Sequence, residues 1–138
     1  MIETMITKTK KYLPLKITEI AWDGTIFQLY GSNWNFTTLS AWRISTKNQM
    51  IFGCYDSDST SSTHFLKNLK IIDIEIQDAL LKIDPVFILS NDQRIEIFST
   101  DTFEPWTFYI DGLEMFIATP SEIPTFDPLG AAAQPQML

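Results

Sequence analysis

Short apolar runs set off by turn residues dominate the chain, and their period is two rather than the 3.6 of an amphipathic helix. Lys16-Ile-Thr-Glu-Ile-Ala-Trp22 alternates and then meets Asp23-Gly24, a pair suited to a tight hairpin turn. Ile26-Phe-Gln-Leu-Tyr30 follows, then Gly31-Ser32 and Asn33-Trp-Asn-Phe-Thr37. Trp42-Arg-Ile44 and Gln49-Met-Ile-Phe-Gly-Cys-Tyr55 complete a first set of strands. The polar stretch Asp56 to Thr63 reads as a linker, and His64 to Leu69 as a turn of helix.

The second half replays this order. Lys70-Ile-Ile-Asp-Ile-Glu-Ile76 answers Lys16 to Trp22, and Phe87 to Asp92 answers Phe27 to Ser32. Ile95-Glu-Ile97 answers Trp34-Asn-Phe36, Trp106 answers Trp42, and Glu114-Met-Phe116 answers Gln49-Met-Ile51. Each copy reads as a meander of short strands with one apolar face, and a lone sheet would leave that face wet. The expected fold is therefore mainly β, with a β-rich α+β class as the alternative. Two related antiparallel meanders pack as a sandwich or a partly closed barrel, with a short helical turn between them.

In the run 70–76, Ile72, Ile74 and Ile76 fall on one face and Asp73 and Glu75 on the other. Pro85-Val-Phe-Ile-Leu89 is apolar on both faces and reads as a central strand entered through a proline. Features common to both copies, Trp42 with Trp106 and Met50 with Met115, are expected in the core. One domain is expected over residues 1–119, with halves at about 16–55 and 70–119. The stretch 120–138 carries Pro120, Pro124, Pro128 and Pro135 and reads as an extended or disordered tail.

Composition adds that 45% hydrophobic residues exceed what a disordered chain carries. The single cysteine, Cys54, has no internal disulfide partner, and its apolar neighbours predict a buried thiol. No run approaches the ~20 apolar residues that span a bilayer, and no signal-peptide pattern opens the sequence. A cytoplasmic protein with no membrane partner is expected.

Charge changes the picture more. Residues 1–69 hold seven basic and five acidic side chains, a net of +2, whereas residues 70–138 hold three and twelve, a net of −9. Phosphate binding needs clustered Lys and Arg, so nucleic acid is not the expected partner; a basic protein is. The acids peculiar to the second half, Asp73, Glu75, Asp92, Asp101, Glu104, Asp111 and Glu114, with Phe103 among them, are the candidate partner-binding residues. They are expected to form an acidic sheet face with Phe103 and Trp106 at its margin.

Candidate chemistry is sparse. One histidine and one cysteine leave no zinc cluster, and His64 beside Ser61, Ser62 and Thr63 reads as a solvated turn residue rather than a general base. Asp56 and Asp58 lack the glycine and terminal glutamate of a calcium loop. Asp101 and Glu104 before Pro105-Trp106 outline a glycosidase carboxylate pair, but Asp101 after Ser99-Thr100 is better placed to satisfy turn amides. No catalytic residue, metal or cofactor is expected.

The stretch Asp84-Pro-Val-Phe-Ile-Leu-Ser-Asn-Asp-Gln-Arg-Ile-Glu-Ile-Phe-Ser-Thr-Asp-Thr-Phe-Glu-Pro-Trp106 resembles a segment of small bacterial proteins. In size, acidity and absence of a site the whole is similar to immunity proteins of contact-dependent growth-inhibition and other polymorphic toxin systems. The resemblance implies a cytoplasmic inhibitor that caps a cognate toxin domain, often a basic nuclease. The alternative is a small-ligand-binding module using the cleft between the two meanders.

Overall fold

The computed structural model describes residues 2–100 and 104–119. Helix α1 (Ile2–Thr9) and a 3-10 turn (Lys10–Tyr12) precede strands β1 (Leu15–Lys16), β2 (Glu19–Trp22), β3 (Phe27–Tyr30), β4 (Trp34–Thr38), β5 (Ala41–Ser45) and β6 (Met50–Gly53). Helix α2 (Ser59–Ser62) runs into a 3-10 turn (Thr63–Leu66), so half of the expected polar linker is helical. Strands β7 (Lys70–Ile76), β8 (Pro85–Leu89), β9 (Arg94–Phe98), β10 (Trp106–Ile110) and β11 (Phe116–Ile117) follow.

The protein is mainly β, two antiparallel sheets with inward-facing apolar positions. One sheet has six strands in the order β1-β7-β8-β9-β5-β6, the other five in the order β11-β10-β4-β3-β2. The two halves do not each make their own sheet, as the sequence pattern suggested. Each half lays three strands as a meander in one sheet and then sends its last two into the other. The cause is local: only Leu39 and Ser40 separate β4 from β5, a corner at which the chain switches sheets. β1 and β2, expected as one strand, are likewise split between the sheets at Ile17-Thr18.

The halves nevertheless correspond in register. Trp42 lies across from Ile97 and Trp106 across from Thr38, each where the crossing strand joins the three-strand meander of the other half. The backbone N–H of Cys54 donates to Trp42 O at 3.0 Å, and that of Ala118 donates to Trp106 O at 3.0 Å. Ile44 faces Phe52 as Phe108 faces Phe116. Gly31 N donates to Trp34 O at 2.9 Å, as Leu89 N donates to Gln93 O at 2.8 Å. A fully buried tryptophan thus opens each crossing pair.

Two expectations about faces fail. A β-bulge between Ile71 and Asp73 puts Ile71 inward and leaves Ile72 exposed, so alternation resumes only at Ile74. Met50 and Met115, expected in the core, are both exposed. Pro85–Leu89 is the third strand of the six-stranded sheet, with Val86, Phe87 and Leu89 buried. Between the sheets Phe36, Phe87, Trp106 and Phe108 meet with ring centroids 4.8–6.2 Å apart. These rings fill the space that a cleft between the meanders would occupy. Helix α1 adds Ile2 and Met5 to this core.

Candidate functional site

Register places the connections at two ends. Residues 23–26, 39–40, 54–58, 77–84, 99–100 and 104–105 lie at one end, the crossover end, where the chain also changes sheets between β4 and β5 and between β9 and β10. The turns 31–33, 46–49, 90–93 and 111–115 lie opposite, the hairpin end.

At the crossover end the two halves repeat one turn and then differ. Asp23 Oδ1 accepts from the backbone N–H of Thr25 (2.8 Å) and Ile26 (2.9 Å), which holds that carboxyl below its usual range. Asp78 Oδ1 likewise accepts from Leu80 N (2.8 Å) and Leu81 N (3.4 Å). Four residues separate β2 from β3, however, and eight separate β7 from β8. Lys82 N donates to Asp78 O at 2.9 Å with Lys82 at φ +53°, and Gln77 N donates to Asp84 O at 2.8 Å, closing the longer loop at its base.

Asp84 fastens that loop to the core. Its buried carboxylate accepts from Ser99 N (2.6 Å), from Ser99 Oγ, and from the Trp106 indole Nε1 (3.2 Å). One side chain thereby ties the β7–β8 loop to the end of β9 and the start of β10. Burial pushes the Asp84 carboxyl above its usual range, against the downward pull of the Ser99 and Trp106 hydrogen bonds.

Held this way, the loop presents Leu80 and Leu81 to solvent, 95% and 66% exposed. Leu39 (63%), Tyr55 (85%) and Ile26 are exposed at the same end. Among the described residues its connections carry the carboxylates Asp23, Asp56, Asp58, Asp78, Asp84 and Glu104 and one cation, Lys82, which pairs with Glu3 at 3.3 Å. Among the described residues the hairpin-end turns carry Lys47 and the acids Asp92, Asp111 and Glu114, the last paired with Lys8 at 2.8 Å. Acidity and exposed apolar side chains coincide at the crossover end.

The acids expected to form one face are dispersed. Asp73 pairs with Lys10 (3.3 Å), Glu75 with Arg94 (3.3 Å) and Glu114 with Lys8 (2.8 Å). The Tyr109 hydroxyl donates to Asp111, whose carboxylate raises the phenol above its usual range. Asp92 sits at φ +71° in the β8–β9 turn; Glu104, exposed at φ +46°, is the one that joins the crossover end. Asp101 and Phe103 lie outside the described residues, as does the stretch 120–138. Trp106, placed at the margin of an acidic face, is buried.

Cys54 is buried with its sulfur 3.4 Å from the Trp42 amide, and His64 is exposed on the 3-10 turn. A shallow depression of about 330 Å³ opens by the β5–β6 turn, lined by Arg43, Lys47, Arg94 and Glu96 among others. Glu96 already accepts from Arg43 Nε (2.7 Å), Arg43 Nη2 (3.2 Å) and Ser45 Oγ (2.7 Å). Desolvation pushes its carboxyl up, but those bonds and the charges of Arg43 and Arg94 hold it below the usual range. Among the described residues no three His, Cys, Asp or Glu side chains gather as metal ligands, and no helix is long and apolar enough to cross a membrane.

Sequence reasoning passed over Leu39, Leu80 and Leu81. The signal was present: Asp78-Ala-Leu-Leu sets two leucines in the residues by which the second copy exceeds the first, where a turn requires no apolar side chain. Comparisons with protein-family models, with curated proteins and with solved structures return no match.

Proposed function

We propose that this chain is a non-catalytic protein-binding inhibitor that caps a basic partner through its crossover end. The observation that carries this reading is the coincidence at one end of the sandwich of exposed Leu39, Tyr55, Leu80 and Leu81 with Asp23, Asp56, Asp58, Asp78 and Glu104, which form no ion pair among the described residues. Exposed apolar side chains supply contact area, and surrounding charge steers encounter and selects the sign of the partner. Loops on a rigid scaffold are the usual carriers of such contacts. A net charge of −7 favours a basic partner, and the resemblance to immunity proteins favours a nuclease-type toxin domain.

The proposed setting is the cytoplasm, with neither nucleic acid nor membrane as ligand. A small molecule between the meanders finds no support in a space filled by Phe36, Phe87 and Phe108. The test is co-expression with basic toxin domains encoded beside the chain's gene. The expected result is restored growth and a stable complex with the wild-type chain, with protection reduced by Asp58→Lys and Glu104→Lys together. Absence of both protection and complex contradicts the reading.

A further inference from the structure

We infer that the Gln77–Asp84 loop is an insertion element, and that Leu80 and Leu81 enter an apolar pocket rimmed by Lys or Arg on the partner. This rests on the protein-binding reading above and names the residues that enter and the pocket that receives them. Three observations carry it. The first half connects its equivalent strands with four residues and the same aspartate-capped turn, so the additional residues of the second half are not needed for the hairpin. Those residues are ordered rather than slack, by Asp78 within the loop, Gln77 N to Asp84 O at its base, and Lys82 to Glu3 beside it. Yet they bury neither leucine.

Ordering an apolar pair in water gains the isolated chain nothing. It lowers the conformational entropy that binding would otherwise cost, which is the use of a preorganised contact. The pocket's rim follows from charge: Asp78 is part of the loop, Glu104 lies two residues from the Trp106 that Asp84 engages, and the loop's own cation, Lys82, is paired with Glu3 at 3.3 Å.

The test is site-specific photo-crosslinking in the chain's own cells, with a benzophenone side chain at position 80, 81, 47 or 115. Binding of the captured protein, once purified, is then measured against wild type and Leu80→Asp with Leu81→Asp. Adducts to a basic protein at 80 and 81 but not at 47 or 115 are expected. With them should come at least a tenfold loss of affinity in the double variant and an unchanged melting temperature. Equal binding by the well-folded double variant overturns the insertion element and leaves recognition through the crossover end standing, whereas adducts confined to 47 or 115 overturn both. No protein adduct at any position, or capture of an acidic protein alone, overturns both.

Discussion

Trp42 and Trp106 occupy equivalent places in the two halves, each buried and each accepting on its carbonyl the same 3.0 Å bond. Their indole nitrogens differ. Trp106 Nε1 donates to Asp84, the residue immediately before β8. Trp42 Nε1 is buried with no partner among the described residues, and the residue immediately before β3 is Ile26. The fold therefore closes without a buried acid at this corner. A carboxylate taken from water costs several kcal/mol unless hydrogen bonds offset it, so its presence in one half alone needs a local reason. That reason is the longer loop: Asp84 fastens an element that the first half does not have.

The comparison breaks most visibly at the acid itself. Asp84→Ala leaves the Ser99 N–H and the Trp106 indole without their acceptor and should cost about 3 kcal/mol in urea unfolding. Ile26→Ala at the equivalent place should cost under about 1 kcal/mol, because that side chain is partly exposed. Equal losses would mean that the acid is incidental. Next in size, Trp106→Phe should cost about 1–2 kcal/mol more than Trp42→Phe, since only the former strips a donor from a buried carboxylate.

Acid titration sharpens the contrast between Asp84 and Glu96, whose carboxyls are displaced in opposite directions. A pKa raised on folding gives stability that is present below the unfolded value and lost as pH rises through the folded one. Wild type should therefore gain stability relative to Asp84→Asn as pH falls from neutral toward about 4. A lowered pKa acts conversely, so wild type should lose stability relative to Glu96→Gln as pH falls below about 4. Urea midpoints across that range read both signs. The smallest effect belongs to the loop tip: Leu80→Asp with Leu81→Asp should shift stability by no more than about 0.5 kcal/mol, because neither leucine is buried.

Much of the strand order was legible because period-two alternation and turn residues are local signals. The correspondence of Trp42 with Trp106 and the central place of Pro85–Leu89 both rest on them. What escaped depends on partners distant in sequence. Asp73 and Glu114 read as free acids because the lysines that pair with them are 63 and 106 residues away. Helix α1 escaped because its inward Ile2, Met5 and Thr9 are three positions among eight largely polar residues. The Ile72 bulge reverses a face that simple alternation assigns, and no residue type announces it. Asp84 before a proline reads as an ordinary turn residue; only the tertiary fold brings Ser99 and Trp106 to it.

Association kinetics with the purified basic partner at two salt concentrations test the central claim most directly. Exposed charges act over about 8 Å at physiological ionic strength, so steering by the crossover end must weaken with salt. Asp58→Lys with Glu104→Lys should slow association at low salt, and Lys47→Glu with Lys70→Glu at the hairpin end should not. An association rate indifferent to salt, or one slowed only by the hairpin-end reversal, would contradict recognition through the crossover end.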